Sequence, residues 1–179
     1  MAKIALFLID GFEETEAITP TDILRRGNVE VTMVSLNGKL HVKSKNGIMV
    51  QADALFEMAQ NEDFDMIVIP GGTITYLDHP SFPQYVEKYA QAGKRLAAIC
   101  AAPAVFGKLG LLKGKTAVCY PGMESWLSGA RISCEKVVTD GNITTSRGPG
   151  TAIPFALRLL SLIQGEEVAK KVAADFLAD

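Results

Sequence analysis

Three short runs are apolar over consecutive residues instead of alternating, KIALFLI (3–9), DMIVIP (65–70) and RLAAIC (95–100), and VEVTMVSL (29–36) is a further, β-branched strand candidate. A strand can be apolar at every position only when both of its faces are covered, as in a parallel sheet packed between helices. Helical segments separate the runs. The acidic EETEAITPTDILRR follows KIALFLI, and SFPQYVEKYAQAGK precedes RLAAIC, with helical spacing at Phe82, Tyr85, Val86 and Tyr89 and a stop at Gly93. Strands alternating with helices predict βαβ units and an open, doubly wound α/β sheet.

Other segments are weaker. Thr19 before Pro20, with Asp22 following, reads as a possible kink or restart of the first helix. Residues 38–51 read as an extended excursion turned at Asn37-Gly38 and Asn46-Gly47. Beyond Pro103 come a short helix through Leu109, the strand-like KTAVCYP, ISCEKVVTDGNITTS with a hairpin at Asp140-Gly141, and helices over 151–163 and 165–177. No repeat or linker interrupts the 179 residues, so one domain over 1–179 is expected.

A formal net charge of −2 without a basic run argues against nucleic acid and anionic lipid as partners. No apolar stretch approaches the roughly 18 to 20 residues of a membrane span. MAKIALFLIDGFEE reads as a first strand instead of a leader, and a cytoplasmic location is expected. Cys100, Cys119 and Cys134 lack metal spacing and do not form an even set, so reduced thiols without disulfide or metal are expected.

In doubly wound folds, ligands sit beyond the carboxyl ends of the strands. Residues 10–16, 70–73 and 100–103 should converge there. Cys100 lies between Ala98 and Ala102, the small flanks that a sharp strand-to-helix elbow requires. A helix start behind it favours thiolate, in the range of roughly 3.5 to 7.5 seen for such cysteines. A buried cysteine acting as a small hydrophobe is the alternative, and for Cys119 and Cys134, inside strand-like runs, it is the preferred reading.

Gly71 and Gly72 are either a plain turn or donors of N–H groups to an oxyanion, with Ala101 N–H as another donor. Glu13 and Glu14 read as helix-dipole partners. Glu16, one turn on from Glu13, is placed to face inward, where an apolar setting would raise its pKa and let it shuttle a proton. His41 and His79 stand apart from Cys100 in the sequence and read as surface residues.

DGFEETE, PTDILRR, DMIVIPGG, AAICAAP and TSRGPGTAIPFAL, spread over almost the whole chain, together resemble the ThiJ/PfpI superfamily, in the branch of the parkinsonism-associated deglycase and its bacterial relatives. The resemblance implies a flavodoxin-like α/β sandwich, a homodimer, Cys100 as reactive cysteine, Glu16 as pocket glutamate, and backbone donors at Gly72 and Ala101. It places Asp22, Arg25 or Arg26 and residues 146–149 near the dimer interface. Asn46 stands where some relatives are basic, so no cross-subunit ion pair with Asp22 is assumed.

Two departures narrow the activity. Ala101 replaces the histidine of protease-like members, which disfavours peptidase and amidotransferase chemistry. Tyr120 stands where the human-like branch has histidine, and a phenol with a reference pKa of about 10 is a poor base. The implied function is a glyoxalase or deglycase that needs no cofactor and acts on small carbonyl substrates such as methylglyoxal, or on glycated adducts. The rival is a redox-sensing or chaperone-like stress protein with an oxidisable Cys100. A thiamine-pathway role lacks a phosphate loop.

Overall fold

A computed structural model describes residues 1–178. Its main sheet has seven strands. The first is β1 (Lys3–Leu8), followed by helix α1 (Glu14–Arg26) and β2 (Glu30–Ser35). A separate hairpin pairs β3 (His41–Lys43) with β4 (Met49–Gln51). The short β5 (Ala54–Leu55) and α2 (Phe56–Ala59) lead to β6 (Met66–Ile69), α3 (Phe82–Gln91), β7 (Arg95–Ile99) and α4 (Pro103–Lys108).

A second small pair joins β8 (Thr116–Ala117) to β9 (Arg131–Ile132). β10 (Val137–Asp140) and β11 (Ile143–Ser146) form a hairpin, and α5 (Ala152–Gln164) and α6 (Glu166–Asp175) close the described chain. The strand order is β10-β11-β7-β6-β1-β2-β5, parallel except for β10. This is the mostly parallel α/β sheet that the apolar runs predict. Among the described residues no helix is long and apolar enough to cross a membrane.

Alternation along the strands explains why the runs are apolar throughout. Ile4, Leu6 and Leu8 of β1 join the core under α1, α5 and α6, whereas Ala5 and Phe7 join the opposite core under α2, α3 and α4. Met66 and Val68 face the first core and Ile67 and Ile69 the second. The second core is aromatic: the Phe7 ring lies 4.8 Å from Phe82 and 5.5 Å from Tyr85, tilted or edge-on as the ring quadrupoles prefer.

Three details differ from the sequence reading. α1 runs unbroken through Pro20. Proline's missing N–H leaves the Glu16 carbonyl without its helical donor, but the turn is held by packing, and Thr21 Oγ1 donates to the Ala17 carbonyl at 2.8 Å. Cys119 lies just beyond β8 and Cys134 just beyond β9, so neither is inside a strand. Cys119 is buried and Cys134 exposed.

From β1 the chain proceeds outward to β2 and β5, then returns to the other side of β1 and proceeds through β6 and β7. The reversal lies between β1 and β6. A crevice opens there at the carboxyl ends, where the connections must diverge.

The fold makes a contrast measurable by urea unfolding. Phe7→Ala, which empties a fully buried ring site, is expected to cost about 3–5 kcal/mol. Arg25→Ala, which removes a half-exposed ion pair with Asp53, is expected to cost about 1 kcal/mol or less.

Candidate functional site

The crevice brings together the ends of β1, β6, β7 and β11. Glu13 caps α1, its Oε2 accepting the Glu16 N–H at 2.8 Å. The Glu13 N–H in turn donates to the Gly71 carbonyl at 2.9 Å. Gly71 donates its own N–H to Glu16 Oε2 at 2.7 Å. The loop after β6 is thus clipped to both ends of the first helical turn.

Both glycines are required by the space available. A Cβ at Gly71 would lie 2.6 Å from Cys100 Cβ and 2.7 Å from Glu16 Oε2. Gly72 has φ +87°, and a Cβ there would come within 2.5 Å of the Glu13 nitrogen and the Gly11 carbonyl.

Cys100 sits one residue past β7 with φ 66°, a left-handed backbone that is uncommon for a side-chain-bearing residue and marks a strained elbow. Its N–H donates to the Ser146 carbonyl at 2.9 Å, and its carbonyl accepts from Tyr120 N–H at 2.8 Å. These bonds fix the bend from both sides.

The N–H groups of Gly72 and Ala101 adjoin the sulfur and favour its ionised form. Gly71 was expected among the substrate-facing donors. Its N–H is instead committed to Glu16, and the donor set at the sulfur is Gly72 with Ala101.

Glu16 has no solvent exposure. Burial raises its carboxyl from the ordinary 4.5 to about 7, against the lowering effects of the Cys100 thiol and the Gly71 N–H. Oε2 is bound by Gly71, but Oε1 is buried without an aligned partner. The thiol beside the carboxyl is a neighbour that lowers its proton affinity, not a well-directed donor.

Burial and the adjacent Glu16 carboxylate push Cys100 up to about 12. The expectation that the helix start alone lowers this thiol is therefore corrected. α4 has only six residues, and desolvation outweighs the lowering effect of the Ala101 N–H that precedes it.

Two adjacent buried anions disfavour each other, so the pair holds at most one negative charge near neutral pH. Donors decide where it rests. A thiolate receives the Gly72 and Ala101 N–H groups and the proton of Glu16, whereas a carboxylate receives only Gly71 and a weakly donating thiol.

Above the sulfur lies a cavity of about 640 Å³, lined among others by Glu13, Lys45, Gly72, Ala101, Tyr120 and Trp126. Cys100 is 8 % exposed and opens onto it. No histidine lines it. His79 Nδ1 accepts the N–H groups of Ser81 and Phe82 at 3.3 and 3.1 Å, so it caps α3 and is not a free surface residue. His41 stands exposed on the β3–β4 hairpin.

Asn46 and Pro149 also border the cavity. Arg25 bonds to Asp53 and Arg26 to Asp22 within the chain. Glu14 meets Ser44 and Asn46 of the hairpin turn.

Lys45, Met123 and Trp126 were not singled out from the sequence. Lys45 adjoins the Asn46-Gly47 turn, and its charge lowers Glu16. Trp126 is the chain's only tryptophan and lies in the turn-rich GMESWLSG, an aromatic outside any core periodicity. Among the described residues no group of three or more His, Cys, Asp or Glu is placed to hold a metal.

The profile of the DJ-1/PfpI family matches residues 2–162. The chain is 36 % identical to the Drosophila melanogaster protein dj-1beta, over 99 % of this chain and 98 % of that one. It is 29 % identical to the Caenorhabditis elegans glutathione-independent glyoxalase DJR-1.2, over 92 % and 91 % of the two chains. The structure of oxidized Toxoplasma gondii DJ-1 superimposes with a TM-score of 0.94 at 35 % identity, covering 99 % of this chain and 98 % of that one.

The raised Glu16 carboxyl gives a stability test in a Cys100→Ala background, where Glu16 titrates without the thiol. The folded-state value lies above the unfolded one, so the benefit of the protonated form is complete below about 4.5 and is lost as pH rises through about 7. Cys100→Ala is expected to lose about 3 kcal/mol across that window, and Cys100→Ala with Glu16→Gln to lose none of it. Denaturant unfolding at a series of pH values checks this; parallel curves for the two proteins would contradict it.

Proposed function

The chain belongs to the DJ-1/PfpI family, and on that premise we propose that it is a cofactor-independent glyoxalase in which Cys100 adds to an α-oxoaldehyde and Glu16 moves the protons. The observation that carries this reading is the half-satisfied carboxyl next to the thiol: Oε2 is fixed by Gly71 while Oε1 is buried without a hydrogen-bond partner. A family relative, the C. elegans protein, is named a glutathione-independent glyoxalase.

The steps balance without an outside oxidant. The Cys100 sulfur bonds to the aldehyde carbon, and the carbonyl electron pair moves to oxygen, where N–H donors on the cavity floor stabilise the charge. Glu16 supplies the proton that makes the hemithioacetal. Its carboxylate then removes the hydrogen from the sulfur-bearing carbon and returns it to the neighbouring carbon, while the hemithioacetal hydroxyl proton passes to the former ketone oxygen. The aldehyde carbon is oxidised and the ketone carbon reduced, giving a thioester that water cleaves to a 2-hydroxy acid and the free thiol.

With no histidine at the cavity, Ala101 after the nucleophile and Tyr120 as phenol, Glu16 is the acid–base group of this reading. Peptidase and amidotransferase reactions lack an imidazole there. Removal of early glycation adducts is a variant of the same addition. The reading includes one working domain over the whole chain and a homodimer, for which Ile18, Ile48 and Ile153 supply exposed apolar side chains. Cys100→Ser is expected to abolish lactate formation from methylglyoxal, and Glu16→Ala to slow it by about 10²- to 10⁴-fold; undiminished lactate from Cys100→Ser rejects the mechanism.

A redox role is the second reading, favoured by the N–H groups of Gly72 and Ala101 at the sulfur, which suit a sulfinate as well as a thiolate. Mass spectrometry after mild peroxide is expected to find Cys100 oxidised before Cys119 and Cys134. A reduced Cys100 beside oxidised companions removes the redox role.

A further inference from the structure

The chain has thirteen aromatic residues (Phe 8, Tyr 4, Trp 1). Among the described residues only two of them stand out as exposed, Tyr120 at 49 % and Trp126 at 38 %. Both line the cavity above Cys100, together with Ile74 and Met123. Exposed aromatic surface confined to the rim of a nucleophile's cavity points to a ligand, since elsewhere this fold puts its rings inside.

Both residues are held in place. The Tyr120 ring lies against Gly148, where a Cβ would be 3.3 Å from Cδ2 and 3.6 Å from Cε2, and its N–H is tied to the Cys100 carbonyl at 2.8 Å. Trp126 closes a turn in which its N–H donates to the Met123 carbonyl at 3.0 Å. Its own carbonyl rests on Gly107 of α4, the helix that follows the nucleophile, where any side chain would collide. Aromatic side chains carried on so fixed a backbone give contact area at low entropic cost.

Size points the same way. The cavity of about 640 Å³ belongs with sites for drug-sized ligands, whereas methylglyoxal consists of three carbons and two oxygens. We infer that Tyr120 and Trp126 form an aryl-binding wall and that the preferred substrate is an α-oxoaldehyde carrying an aromatic group. Flat rings stack offset or edge-on against such side chains, and Met123 adds a sulfur contact. The inference rests on the glyoxalase reading for its chemistry, though not for the binding wall.

Because Trp126 is the only tryptophan, its fluorescence reports occupancy of the cavity without any reaction. Phenylacetone, excited at the red edge of the indole band, is expected to give saturable quenching that acetone does not. In turnover, the ratio of kcat/KM for phenylglyoxal over methylglyoxal is expected to fall about tenfold in Trp126→Ala, chiefly through KM for the aryl substrate, and to be restored largely by Trp126→Phe.

An unchanged ratio, absent or unsaturable quenching, or an equal gain with a straight-chain oxoaldehyde of the same carbon count would overturn the aryl site. Saturable quenching by phenylacetone in a protein that converts neither dicarbonyl would keep the binding wall and reject the glyoxalase reading.

Discussion

The site depends on a carboxyl group with no exposure to water, held one hydrogen bond from a glycine and beside a thiol. Burying two ionisable groups together leaves room for a single charge. Everything reactive about the crevice follows from where that charge resides and how readily the proton between the two groups moves. A carboxyl in water would ionise independently of the sulfur, and the pair would be two unrelated groups.

The fold is arranged to impose this burial. β1 and β6 are adjacent at the reversal of strand order, so the loops leaving them must share one crevice. Gly71 lets them approach until its backbone touches both the acid and the cysteine Cβ region, and no larger residue fits. The elbow at Cys100 is strained, with φ 66°, and backbone bonds from Ser146 and Tyr120 to either side of it hold the strain. The same geometry that shields Glu16 leaves the sulfur partly open to the cavity.

Much of this was legible in the amino-acid order. The doubly covered strands were readable because a parallel sheet removes the polar face, so KIALFLI and DMIVIP could hardly be anything else. Glu16 and Cys100 were legible as one inward helix position and one bend between alanines. The role of Gly71 was not, because its N–H meets an acid 55 residues away and nothing local marks that. Pro20 suggested a break that tertiary packing overrides. Lys45 and Trp126 escaped notice because they lie on turns, where periodicity carries no signal, and the capping role of His79 depends on ring geometry and not on composition.

The proposed chemistry requires that near neutral pH Glu16 keep the proton and Cys100 the charge. A neutron structure at that pH tests it directly. The account predicts density for a deuteron on the Glu16 carboxyl and none on the Cys100 sulfur; a deuterated thiol beside a bare carboxylate would contradict it.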